Sequence, residues 1–196
     1  MNKYFLLIIG FVSVSILNAQ NLDSLYNEFV RIKSFAVNVK EQHRVSTITE
    51  TGKCGFSTIN DVKINFNKFD PKQKEVLSSL LQRPQADTSF VTPSGKFRIH
   101  YKKTGFDAPG YNLNDLAKAA DSSYNYEVNI LGYPPPPGDM GAGGDDRYDI
   151  YIANLGSGLY GYTELENELT NDRYTSFTVI DNDFSSQNTK GIDGAR

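Results

Sequence analysis

Four consecutive prolines, Pro134 to Pro137, constrain the fold more than any other feature of the sequence. Proline has no backbone N–H and a fixed φ, so neither a helix nor a central strand can continue through them. Gly132, two residues earlier, is a typical helix end. The prolines therefore predict a stiff polyproline II connection that follows a helix and leads into the Gly-rich loop 138–144.

The segment before the prolines has the pattern of a long amphipathic helix. Asn112 is a helix-capping residue, and apolar residues follow it with helical spacing for about five turns: Leu113, Leu116, Ala117, Ala120, Tyr124, Val128 and Leu131. Alternating residues predict a strand at 97–101 before this helix, and strand patterns follow at 148–152, 160–163 and 174–180. This order predicts an α+β fold, a mixed sheet with one long packed helix.

The segment before residue 88 is expected to be small, helical and irregular. Apolar residues at helical spacing predict one helix over 22–32, and Asp70 followed by Pro71 predicts the start of a second helix that ends near Arg83. Residues 45–69 are expected to form a loop. Within them, the alternation of Val62, Ile64 and Phe66 predicts a weak strand.

The first nineteen residues have the layout of a secretory signal peptide. Lys3 precedes an apolar stretch from Tyr4 to Leu17, and a small residue, Ala19, follows. The stretch of about 14 residues is shorter than a bilayer-spanning helix, so a retained anchor is the weaker alternative. The sequence therefore predicts cleavage after Ala19 and a secreted, extracellular chain that is not attached to a membrane.

Composition excludes several classes of protein. The net charge of the 196 residues is −3, which is not the basic footprint of a nucleic-acid-binding protein. The chain has two His, which excludes a zinc site built from three His. It has one Cys, which excludes a disulfide within the chain. An odd cysteine in a secreted protein suggests that Cys54 has a partner on another molecule or in sequence outside this chain. A buried free thiol is the alternative.

Acidic residues gather where the strand at 148–152 begins. Asp145, Asp146 and Asp149 lie within five residues, and Asp181 and Asp183 close the last predicted strand. Carboxylate oxygens on loops are suitable calcium ligands, so Asp145, Asp146 and Asp149 are the calcium candidates. The spacing is not that of an EF-hand loop, and turn or salt-bridge roles are the alternative.

No catalytic residue is predicted in this chain. His100 is expected on the polar side of its strand and His43 lies in a charged stretch, so both are expected to be ordinary surface histidines. The sequence at 156–158 lacks the full nucleophile-elbow pattern. The loop at 138–144 lacks a phosphate-binding pattern.

Five short motifs occur in register through the second half of the chain: residues 93–101, 131–137, 143–152, 160–163 and 180–184. Together they resemble the front half of a family of secreted bacterial zincin-type metallopeptidases. The resemblance covers about residues 90–196. It divides the chain into a signal peptide (1–19), a propeptide-like segment (20–88) and the N-terminal part of a metallopeptidase-like domain (89–196).

In such proteins the segment after the last of these strands continues into a helix with the motif His-Glu-x-x-His, which binds zinc and activates water. This chain contains no ligand of that motif. The resemblance therefore implies the noncatalytic N-terminal portion of a zinc-dependent peptidase, whose domain continues beyond Arg196. Many relatives carry a calcium-like loop before the long helix, and residues 107–112 replace it here.

The resemblance also implies a site for a peptide substrate. An edge strand beside the cleft could pair with an extended peptide, and Tyr160, Gly161 and Tyr162 are the candidates for that strand. An ordinary aromatic strand packed into the sheet is the alternative interpretation of these residues. For the whole chain, the alternatives are a secreted binding or adhesion module without catalytic activity, and a complete small protein.

Overall fold

The computed structural model describes residues 21–33, 54–156, 159–170 and 173–184. Within them, four α-helices and one five-stranded mixed sheet confirm the α+β class. The helices are α1 (21–33), α2 (Phe56–Asn65), α3 (Pro71–Leu80) and α4 (Leu113–Tyr124). The strands are β1 (Thr88–Val91), β2 (Phe97–Tyr101), β3 (Tyr148–Ala153), β4 (Gly161–Glu168) and β5 (Tyr174–Asp181).

The strands lie in the order β1-β2-β3-β5-β4. Strands β2, β3 and β5 are parallel, whereas β1 and β4 run antiparallel to their neighbours. Helix α4 connects the parallel strands β2 and β3, as a parallel pair requires a long crossover. The chain then passes to the outer position of β4 before it returns inward as β5, so β4 forms one edge of the sheet.

Helices cover both faces of the sheet. Helices α1 to α3 pack on one face, in a core that includes Phe29, Ile59, Leu77, Tyr162 and Phe177. Helix α4 packs on the opposite face, in a second, smaller core: Ile99, Leu116, Ala117, Ile150 and Ile152. A parallel strand between two helical layers buries both of its faces, and five of the six residues of β3 are accordingly buried.

The first and third helices are confirmed. The predicted apolar face of α1 includes Phe29 and Ile32, which are buried in the core. Helix α3 begins with the predicted cap, since the Asp70 carboxylate accepts hydrogen bonds from the backbone N–H groups of Lys72 and Gln73. The Gln73 side chain in turn accepts from the N–H of Asp70, which completes a capping box.

The expectation of a loop with a weak strand at 45–69 is wrong for the described residues from 56 onward. Residues 56–65 form α2, and a 3₁₀ turn, Phe66–Lys68, follows it. Ile59 and Val62 are fully buried, whereas Ile64 is 78% exposed. The apolar spacing that matters is therefore i, i+3 within a helix rather than the alternation of Val62, Ile64 and Phe66.

The long helix begins as predicted, with the Asn112 side chain accepting a hydrogen bond from the N–H of Asn114. It continues after Tyr124 as π-helix Asn125–Ile130, whose wider turns do not keep the predicted apolar face on the sheet. Ile130 is accordingly 64% exposed. Gly132 has a φ of 77°, which confirms the predicted helix end.

The segment that precedes residue 88 shares one core with the sheet. Phe29 of α1 and Val62 of α2 belong to the same buried cluster as Phe177 and Val179 of β5. The propeptide-like role of residues 20–88 stays a prediction. The predicted signal peptide, 1–19, lies outside the described residues, and none of the described helices is long and apolar enough to span a bilayer.

Candidate functional site

The predicted substrate strand lies at the edge of the sheet. Tyr160 and Tyr162 flank Gly161, the first residue of β4. The backbone N–H of Asp181 donates to the carbonyl of Tyr160, so the even-numbered residues of β4 form the hydrogen-bonded pairs with β5. The backbone groups of the alternate residues, Gly161, Thr163 and Leu165, therefore point away from the sheet.

Helix α2 and the residues before it partly occupy this edge. The N–H of Gly55 donates to the carbonyl of Gly161 over 3.1 Å, and Cys54 forms an isolated parallel bridge with the same residue. The Lys63 ammonium donates to the carbonyl of Leu165. An extended ligand that pairs along the whole of β4 would have to replace both contacts.

The glycine at position 161 is required by the sheet itself. A Cβ atom on Gly161 would lie 2.7 Å from the carbonyl oxygen of Val179, which is backbone and cannot move aside. Any side chain at this position would therefore strain the pairing of β4 with β5. Sensitivity to substitution of Gly161 alone would consequently not distinguish ligand binding from stability.

The two tyrosines differ in their surroundings. Tyr162 is 2% exposed and packs in the core under α1 and α2, which fits the packed-strand interpretation for this residue. Burial, together with the charge of Glu164, raises the pKa of Tyr162 well above its ordinary value. Tyr160 is partly exposed, and its ring meets that of Phe184 edge-on with centroids 5.7 Å apart. Only Tyr160 of the pair is placed to contact a ligand.

The three calcium candidates do not converge on one point. Asp145 pairs with the guanidinium groups of Arg98 and Arg147, and Asp146 accepts a hydrogen bond from the N–H of Gly141. The two guanidinium groups and the backbone bond of Arg147 hold the pKa of Asp145 at about 2. Calcium binding by Asp145 and Asp146 stays a prediction, and these contacts fit their alternative roles in turns and salt bridges.

The third candidate, Asp149, belongs to a separate buried cluster around Arg83, which we call the Arg83 cluster. Arg83 lies between α3 and β1, and its guanidinium binds three carboxylates. Nε donates to Glu166 over 2.7 Å, Nη2 donates to Glu166 and, over 2.7 Å, to Asp139, and Nη1 donates to Asp149. The Asp149 side chain is completely buried, and that of Arg83 is 16% exposed.

Aromatic rings complete the Arg83 cluster. The guanidinium carbon of Arg83 lies 5.1 Å from the centroid of the Phe177 ring, within cation–π range. The Tyr151 ring belongs to the same cluster, stacked on His100. Burial lowers the pKa of Arg83, but the hydrogen bonds to Glu166 and Asp139 and the nearby Tyr151 hydroxyl outweigh it and raise the pKa.

The expectation that His100 is a surface histidine is wrong. His100 is 7% exposed, its Nε2 lies 2.7 Å from Oδ1 of Asp149, and its ring stacks on Tyr151 with centroids 4.3 Å apart. The polar face of β2 is covered because His100 lies beside Tyr151 in the register with β3, on the face of the sheet that α1 to α3 cover. Arg83 itself was missed for a related reason, since its partners are 56 to 83 residues away in sequence. The other histidine, His43, lies outside the described residues.

One carboxylate oxygen of Asp139 has no hydrogen-bond donor in the cluster. It is 7% exposed, and its Oδ1 accepts no hydrogen bond within the described part of the chain. Burial raises the pKa of Asp139, as does the charge of Asp149, and Arg83 offsets only part of this effect. The cluster brings three carboxyl groups to a single guanidinium group.

The side chains in the described part of the chain do not fit a zinc ion. In the described ranges, no group of three or more His, Cys, Asp or Glu side chains is arranged to hold a metal.

Cys54 is exposed, which overturns the buried-thiol alternative for this residue. A partner for Cys54 outside the chain stays a prediction.

Comparison of the chain with models of protein families, with curated proteins and with solved structures gives no match. The fold and the residues of these two sites therefore carry the functional argument.

Proposed function

We propose that this chain is the N-terminal, substrate-side portion of a secreted zinc-dependent peptidase, and that β4 pairs with an extended peptide substrate. The main support is the position of the Tyr160–Thr163 motif, which opens an antiparallel edge strand. Edge strands present a row of outward backbone groups to which an extended peptide can add. Thr163 lies between the two edge positions that Gly55 and Lys63 occupy.

We assign catalysis to the His-Glu-x-x-His helix that the resemblance implies beyond residue 196, because the chain contains no such motif. No chemical step is derived for this chain. Its own part is to align the substrate: β4 supplies backbone donors and acceptors, and the helices behind the sheet hold that strand in place.

Two measurements test this function. The first is the coding sequence after the Arg196 codon, where the proposal expects His-Glu-x-x-His within about ten to twenty codons, on the helix that follows β5. The second is hydrolysis of fluorescein-labelled casein, an unfolded probe with many extended segments. The longer protein is expected to cleave it and to lose activity with a zinc chelator, whereas this chain alone is expected to bind casein without cleaving it. Cleavage by the purified chain, after contaminating proteases are excluded, would contradict the division of roles.

A secreted binding or adhesion module is the second candidate. The same edge strand favours it, since strand addition requires backbone groups and no catalytic residue. A stop codon after Arg196, or a following helix without the zinc motif, would select this function, and casein would then be bound but never cleaved.

A further inference from the structure

The Arg83 cluster has the composition of a binding pocket for a guanidinium group. A guanidinium group binds a carboxylate most strongly when two of its N–H groups donate to the two carboxylate oxygens. Glu166 binds Arg83 in this bidentate way, since it accepts from both Nε and Nη2. Asp139 accepts a hydrogen bond from Nη2 and Asp149 accepts one from Nη1. The Phe177 ring lies against the guanidinium carbon. Few other side chains could satisfy three carboxylates and an aromatic ring together.

The pocket contains more acceptors than its occupant uses. Asp139 is more than nine-tenths buried, one of its oxygens binds Arg83, and the other accepts no hydrogen bond from the described residues. Most buried acceptors in folded proteins are paired, so this oxygen can accept one further donor. The surplus acceptor is consistent with a second donor, such as a backbone N–H, that a larger ligand would bring.

The pocket is also close to the surface and to the proposed substrate strand. The side chains of Arg83 and Glu166 are 16% and 20% exposed, so the pocket opens to solvent beside them. Glu166 belongs to β4 itself. The residue that fills the pocket comes from the connection between α3 and β1, which is neither helix nor strand.

We propose that Asp139, Asp149 and Glu166 form a recognition pocket for an arginine side chain of the peptide ligand, and that Arg83 fills this pocket as an internal substitute. The inference rests on the proposed function, in which β4 pairs with a peptide. It adds the ligand class, an extended peptide that carries arginine. Withdrawal of the segment around Arg83 vacates the pocket for that side chain.

Chemical rescue of the full chain tests the pocket. Arg83→Ala removes the internal guanidinium and is expected to lower the Tm, since three carboxylates lose their cation. Methylguanidinium at ten times its Kd is expected to raise the Tm of this variant by about 3 °C and to leave the wild type unchanged. Methylammonium at the same concentration carries the same charge without the planar fork, and it is expected to have no such effect. Rescue by neither cation, or equal rescue by both, would overturn the proposal.

A second variant and a second probe complete the test. If Arg83→Ala does not fold, Arg83→Ala combined with Asp139→Asn removes one uncompensated charge and keeps Glu166 and Asp149 for the same comparison of cations. A labelled peptide of five residues with one central arginine is then expected to bind the variant at least about tenfold more tightly than the same peptide with glutamine. Equal binding would reject the ligand class. Rescue by methylguanidinium does not require a peptide to pair with β4. A failure of the rescue would therefore reject the pocket without bearing on the proposed function.

Discussion

Lys33, in the last turn of α1, donates a hydrogen bond to Glu164 in the middle of β4, and both side chains are only 1% exposed. The Lys33 ammonium also lies 4.8 Å from the centroid of the Tyr162 ring. Burial lowers the pKa of Lys33, and the charge of Glu164 opposes that shift. This buried pair fastens the N-terminal helix to the edge strand.

Removal of one partner of this pair is expected to be more harmful than removal of both. Lys33→Met leaves Glu164 buried with only Lys63, 3.1 Å away, and should lower the free energy of unfolding by about 3 kcal/mol. Lys33→Met combined with Glu164→Leu replaces the pair with apolar side chains and should recover most of that loss. Urea unfolding measures both, with Lys68→Met, an exposed lysine in the 3₁₀ turn after α2, as the control. A double variant less stable than the single one would show that the pair is net stabilising.

Gly143 is expected to be intolerant of any side chain. Its φ is 75°, and an added Cβ would lie 2.6 Å from Cγ of the buried Asp149. Gly141 is a matched control, since its φ is 84° and its Cβ would meet nothing within 4 Å. Gly141→Ala should cost about 1–2 kcal/mol for its backbone conformation alone, and Gly143→Ala about 1–3 kcal/mol more for overpacking. Thermal or urea unfolding of both variants checks this, and equal losses would refute the close contact with Asp149.

Thr163 provides the sharpest test of strand addition at β4. Its backbone N–H points away from β5, so Thr163→Pro removes an outward donor and keeps the hydrogen bonds between β4 and β5. Thr163→Val retains the N–H and the branched shape but loses the hydroxyl, which lies 3.0 Å from that of Thr178. Fluorescence anisotropy with labelled casein should show binding weakened about tenfold by proline and little changed by valine. Unchanged binding in a folded proline variant would remove β4 from the site.

Acid should weaken the fold through Asp145. Arg98 and Arg147 hold the pKa of Asp145 at about 2, below its ordinary 3.8. A carboxyl with a lowered pKa in the native state binds fewer protons there than in the unfolded chain. Its contribution is therefore complete above pH 3.8 and is lost as the pH falls toward 2.

Asp145→Asn should accordingly lower the Tm at pH 7 and have a much smaller effect near pH 2, where about half of the native carboxyls are protonated. Asp115→Asn is a suitable control, because Asp115 is about half exposed and its ion pair with Lys118 is 3.8 Å long. A difference between wild type and Asp145→Asn that persists unchanged at pH 2 would mean that the arginines do not act through this carboxylate.

The local sequence determined where several helices and strands begin and end. Several features depend on only a few neighbouring residues, and each was predictable from sequence for that reason. They are the helix caps at Asp70 and Asn112, the helix end at Gly132 and the strand alternation at 97–101. The same holds for the α+β class, because a strand, a long helix and further strands leave few other arrangements. Helix α2 was missed because its short apolar pattern fits a strand as well as a helix, and only packing against β4 decides between them.

The tertiary structure decided the sites. Whether β4 is an edge depends on strand order, which no stretch of β4 encodes. The burial of His100 and the pairing of Arg83 with Asp139, Asp149 and Glu166 join residues from separate parts of the chain. Charged residues usually lie at the surface, so sequence alone predicts solvent for them. Folding placed these side chains where water is excluded, and there each one requires the others as partners.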